Sequence, residues 1–110
     1  MRTLSIVVPC YNERDGIPQL LERLEETRRA LGQDDELELI IVDDGSTDGT
    51  AERIEPACRG RFNARVIRHE RNRGLGAAMR TGFAHASGEL IATTDSDCTY
   101  DPRDLVPMVR

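Results

Sequence analysis

The run LELIIVDD, residues 37–44, constrains this chain more than any other stretch. A strand with one wet face alternates apolar and polar residues, and this one hardly does. Near-continuous apolar runs belong to strands buried on both faces, the usual condition of a parallel sheet with helices above and below. The run also ends in two adjacent acids, Asp43 and Asp44, followed by Gly45. Burial on both sides followed by an abrupt acidic turn points to a strand whose end opens onto a functional edge.

The rest of the chain fits that frame. TLSIVVP (3–9) reads as a first strand ending at Pro9, where a ladder donor is lost. Ile17, Leu20, Leu21, Leu24 and Leu31 recur at helical spacing, and Gly32 is the expected stop. After the second strand, Ser46 or Thr47 is placed to cap a short helix through Ile54 and Cys58. NARVIRHE is a weaker third strand. Leu75, Ala78, Met79, Gly82, Phe83 and Ala86 predict a helix whose small residues permit close approach to a sheet. GELIATT is the fourth strand, and DPRDLVPMVR starts another helix with Pro102 in its first turn. Alternation of strand and helix implies right-handed crossovers: an α/β, Rossmann-like, mostly parallel sheet of about four strands with helices on both faces.

Length and charge narrow the function classes. A chain of 110 residues makes one small domain, and a net charge of −5 argues against a nucleic-acid-binding surface, which normally needs a net basic face. All 15 basic residues are arginine, which removes Schiff-base and phosphate-loop lysine chemistry. Cys10, Cys58 and Cys98 have no metal-ligand spacing and read as reduced thiols of a cytoplasmic protein. MRTLSIVVPC reads as no signal peptide, and no run approaches the ~20 apolar residues of a spanning helix.

In such sheets ligands bind beyond the carboxyl ends of the strands. Three polar loops fall there: PCYNE, DDGSTD and DSDCTYD. Asp95 and Asp97, two apart with small Ser96 between them, can turn both carboxylates toward one ion. Hard oxygen ligands of this kind suit Mg²⁺ or Mn²⁺ bound together with a phosphate-bearing substrate. Asp43 and Asp44, adjacent on a strand end, point to opposite faces and therefore serve different roles. Tyr11 offers a ring for stacking on a base or ribose, and Asn12 and Glu13 offer hydrogen-bonding groups. RNRGLGAAM imitates a dinucleotide fingerprint, but Met79 stands at its third glycine position. Helix–sheet packing and an anion-tolerant helix start account for Gly74 and Gly76. His69 and His85 have no ligand partner at sensible spacing and read as surface or core residues.

Taken in order, SIVVPCYNE, LIIVDDGSTDGT, NRGLGAAMRTGF and DSDCTYDP resemble the nucleotide-sugar half of family 2 glycosyltransferases. The likeness is strongest to the dolichyl- and polyprenyl-phosphate sugar synthases. The resemblance implies a GT-A fold and transfer of a sugar, with inversion, from a nucleoside diphosphate donor, UDP- or GDP-linked. The acceptor it implies is a lipid phosphate or a saccharide. The implied donor-binding residues are Pro9, Tyr11, Asn12, Glu13, Asp43, Asp44, Gly45, Asp95 and Ser96, with Asp44 reading the base. The implied metal positions are Asp95, Asp97 and Thr99. Thr99 stands where polyprenyl-phosphate members often carry Gln, and a hydroxyl is a poorer ligand than an amide oxygen.

Members of that family are roughly twice this length, and no residue here matches their general base. The expectation is a donor-binding half-domain over residues 1–110, inactive by itself, self-associating through an exposed sheet edge and membrane-associated in a longer protein. Two alternatives stay open on sequence. A phosphoacceptor receiver shares the acidic clusters but needs a lysine, and a dinucleotide-binding domain shares the glycine pattern.

Overall fold

The computed structural model describes residues 2–32, 35–60 and 63–93. Four strands, β1 (Arg2–Cys10), β2 (Asp35–Asp43), β3 (Asn63–Arg68) and β4 (Leu90–Thr93), form one sheet in the order β3-β2-β1-β4. Every neighbouring pair is parallel. The connections carry α1 (Ile17–Leu31), α2 (Thr50–Cys58) and α3 (Leu75–His85). The α/β architecture expected from the alternation is therefore present. The expected helix over 101–110 lies outside the described residues.

Side-chain alternation divides the core between the two faces of the sheet. Leu4, Ile6 and Val8 of β1 and Leu37, Leu39 and Ile41 of β2 meet Leu20 and Leu24 of α1 and Ile54 of α2. Val7, Ile40 and Val42 face the other way and meet Ala78 of α3. Both central strands are thus buried on both sides, as the composition of LELIIVDD requires. Each fully buried aliphatic side chain contributes about 1.5–3 kcal/mol of transfer free energy.

The α3 face is thin because its helix presses close. A Cβ on Gly82 would stand 2.2 Å from Val7 Cγ1. Close approach is therefore required at Gly82. A Cβ on Gly74 would meet nothing within 4 Å, and one on Gly76 only Arg80 Nη1 at 3.4 Å. This corrects the expectation that packing explains Gly74 and Gly76. Gly74 has φ of +99°, a backbone setting that glycine adopts without strain.

At the amino end of the sheet a buried acid fastens the turn between α3 and β4. Glu38, 4 % exposed, accepts from the Ser5 hydroxyl at 2.8 Å, the Ser87 amide at 2.9 Å and the Ser87 hydroxyl at 2.6 Å. Gly88 donates its amide to Ser5 Oγ at 2.8 Å. Burial pushes the Glu38 carboxyl up. The bonds from Ser87 and Ser5, with the charge of Arg65, outweigh it and leave the group below its ordinary pKa.

Several boundaries differ from the sequence reading. β1 runs through Pro9 to Cys10, in register with Val42 and Asp43 of β2. Neither Ser46 nor Thr47 caps α2, which begins at Thr50. The Asp48 carboxylate takes the Thr50 amide at 3.0 Å instead. Ser46 and Thr47 are committed to Asn12, as described next.

Candidate functional site

Because the strands are parallel, their carboxyl ends share one edge, and the loops leaving them there are fastened to one another. Asn12, with φ of +51°, donates its amide to Ser46 Oγ at 2.9 Å and accepts the Thr47 amide on Oδ1 at 2.9 Å. Asparagine tolerates this left-handed setting better than most residues. The Glu13 amide donates to Thr50 Oγ1 at 3.1 Å and the Arg14 amide to Asp48 Oδ2 at 3.2 Å. The first loop is thereby clasped to the second. Asn12 acts through this clasp, and Glu13 joins it through its backbone.

Asp43 and Asp44 diverge as alternation requires. Asp43 closes the turn that follows it, accepting the Ser46 amide on Oδ1 at 3.1 Å. Gly45, at φ of +77°, lets the backbone of Arg71 and Asn72 approach: a Cβ there would lie 2.3 Å from the Arg71 carbonyl carbon. Asp44 turns to the α3 face and is 4 % exposed. Its Oδ1 accepts His69 Nδ1 at 2.7 Å and the Arg73 amide at 2.9 Å, and its Oδ2 accepts the Gly74 amide at 2.8 Å. The anion at the start of α3 is therefore the protein's own carboxylate. Burial raises the Asp44 pKa, but the His69 bond and the two amides more than offset it, so the group sits below its ordinary value.

His69 is the residue that sequence spacing missed. Its side chain is only 5 % exposed, and Nε2 lies 2.8 Å from Thr81 Oγ1 on α3. The Asp44 carboxylate can only accept, so Nδ1 carries the proton; in the neutral ring Nε2 then accepts the Thr81 hydroxyl. Asp44, His69 and Thr81 are separated by 25 and 12 positions, so no local pattern announces the chain of bonds. The local signal is limited to Val66 and Ile67 in a mixed strand that ends just before the histidine.

A cleft of about 250 Å³ opens above this group. Pro9, Tyr11 and Asp44 line it, with Asn72, Leu75 and Ala78 from the third loop and α3. The Tyr11 ring is exposed beside it. The volume is below the ~300–1,000 Å³ of sites that enclose a whole drug-sized ligand, and so suits only part of one. Of the expected donor-binding residues, Pro9, Tyr11 and Asp44 meet at the cleft. Asn12, Asp43 and Gly45 shape the loops around it. Asp95, Ser96, Asp97 and Thr99 lie outside the described residues, and among the described residues no group of three or more acidic, histidine or cysteine side chains could hold a metal ion.

Comparison with known proteins follows the same lines. Over 107 residues the chain is 40 % identical to undecaprenyl-phosphate 4-deoxy-4-formamido-L-arabinose transferase of Proteus mirabilis, covering 96 % of this chain and 32 % of that one. Its fold superposes with a TM-score of 0.79 on residues 1–349 of Staphylococcus aureus TarS in complex with UDP-GlcNAc, at 32 % identity over 97 % of this chain and 30 % of that one. The mannosyltransferase PcManGT of Pyrobaculum calidifontis, solved with GDP-Man and Mn²⁺, gives a TM-score of 0.77 at 30 % identity, covering 94 % of this chain and 30 % of that one. The chain spans about a third of the length of the curated relatives it matches. Glycosyl transferase family 2 matches residues 5–110. With that match and the GT-A fold of its structural neighbours, the chain belongs to glycosyl transferase family 2.

Proposed function

We propose that this chain is the donor-binding region of an inverting, metal-dependent glycosyltransferase that moves a sugar from a nucleoside diphosphate to a polyprenyl phosphate. The observation that carries the reading is the cleft in which Pro9, Tyr11 and Asp44 meet at the carboxyl edge of a parallel sheet. Asp44 presents a hydrogen-bond acceptor to a base, and Tyr11 presents an exposed ring face to a base or ribose. The loops are pinned together before any ligand arrives, which lowers the ordering cost of binding. β4 ends on the same edge at Thr93, two residues before Asp95 in the sequence. Asp95 and Asp97 would hold Mg²⁺ or Mn²⁺, and Thr99 would add a hydroxyl. Such an ion supplies neutralisation of the charge that develops on a departing diphosphate. Acceptor activation by a general base is assigned to residues outside this chain, which by itself binds donor without transferring sugar. The similarity to an undecaprenyl-phosphate sugar transferase supports the lipid-phosphate acceptor.

Calorimetric titration of UDP- and GDP-sugars, with and without Mn²⁺, tests the reading. Metal-dependent binding that is lost in Asp97→Ala is expected. Preferential binding of NAD⁺, uptake of phosphate from a small phosphodonor, or enzymatic turnover by the 110-residue chain would each contradict it.

A further inference from the structure

Resting on that donor-site reading, we propose that His69, held by Thr81, is a positioning residue that leaves Asp44 one open acceptor site, so that the cleft takes uracil in preference to guanine. An ionised carboxylate has about four lone-pair sites, two on each oxygen. Both on Oδ1 are filled, by His69 Nδ1 at 2.7 Å and the Arg73 amide at 2.9 Å. One on Oδ2 is filled by the Gly74 amide at 2.8 Å. A single site remains, on the carboxylate that lines the cleft.

The two bases of common sugar donors differ in what they offer an acid. Uracil has one imide N–H between two carbonyls, and one acceptor satisfies it. Guanine has a ring N–H and an exocyclic amine side by side, a pair matched to both oxygens of a carboxylate. With Oδ1 full, the guanine amine would enter without that partner. A site whose polar groups match one ligand rejects the analogue that leaves a group unpaired. His69 is the adjustable member of the set, because the other two donors are backbone amides. Its ring is buried and bonded at both nitrogens, so it cannot turn away from Asp44 without breaking a second bond to Thr81.

The test compares affinities of the chain for UDP, GDP and N3-methyl-UDP in the presence of Mn²⁺. UDP is expected to bind about tenfold or more tightly than either of the others. In His69→Asn, whose side-chain amide can stand in for Nδ1–H, the preference persists. In His69→Ala the freed lone pair brings the UDP-to-GDP ratio toward one. Thr81→Val, which loosens the ring at nearly constant volume, moves the ratio the same way and serves if His69→Ala does not fold. Equal binding of UDP and GDP by the unmodified chain overturns this inference and leaves the donor-site reading standing. A ratio unchanged in both His69→Ala and Thr81→Val shows a merely structural histidine and also overturns it. Failure of both UDP and GDP to bind overturns the donor-site reading, and this inference with it.

Discussion

Two glycines on one helix illustrate how position decides what a residue is for. Gly76 and Gly82 both lie in α3, where alanine is intrinsically better by about 1 kcal/mol. At Gly76 the added methyl has room, with its nearest neighbour the far end of the Arg80 side chain. Gly76→Ala is expected to raise stability by about 0.5 kcal/mol, read as a higher urea midpoint. At Gly82 the same methyl lies 2.2 Å from Val7 Cγ1, inside any real contact distance. Overpacking of this kind costs about 1–3 kcal/mol and exceeds the propensity gain. Gly82→Ala is therefore expected to lower the midpoint, so that the two substitutions move in opposite directions.

At the scale of elements, two polar fasteners hold the sheet's opposite ends. The Glu38 latch ties the turn before β4 to the central strands, and three donors converge on one carboxylate. Glu38→Ala strands those donors in a buried setting, and a loss of about 2–4 kcal/mol is expected in equilibrium unfolding. The Asn12 clasp at the carboxyl edge is more exposed, and its two bonds join loops rather than strands. Asn12→Ala is expected to cost about 1–2 kcal/mol and to weaken nucleotide binding by loosening the wall of the cleft. Restoration of binding is not expected in Asn12→Gly, which tolerates the positive φ but lacks the side-chain acceptor. The comparison separates backbone strain from the clasp.

For the whole molecule, the acid side of the stability curve follows from these same groups. Glu38 and Asp44 are both held below their ordinary pKa values in the folded chain. A depressed carboxyl contributes stability that is complete above its unfolded pKa of about 4. That contribution is lost as pH falls through the lower, folded value. The unfolding free energy is thus expected to be flat from these groups near pH 6–7 and to decline below about pH 4.5. Asp44→Asn and Glu38→Gln should each flatten the decline while lowering stability at neutral pH, measured by urea unfolding across about pH 3–7. The surface carries Leu75, Phe83 and Ile91 as exposed large apolar side chains. Self-association, if carried by them, should appear in sedimentation velocity as a concentration-dependent species that Phe83→Ser diminishes.

What is legible in the residues alone is what repeats over short distance. Period-2 and period-3.6 patterns place the strands and helices in order, and near-continuous apolar character marks β2 as buried on both faces. Alternation separates Asp43 from Asp44, and their opposite fates in the structure follow from that parity. The tertiary structure decided what depends on residues far apart in the chain. Nothing local joins Asp44 to His69 and Thr81, or Glu38 to Ser5 and Ser87, because these partners become neighbours only when parallel strands are brought into register by helical crossovers. The same register decides which glycine needs to be one and which hydroxyl is free to cap a helix. Sequence determined the elements and the edge at which polar loops gather. Packing determined which of those polar groups face one another, and so how many acceptors Asp44 has left to offer.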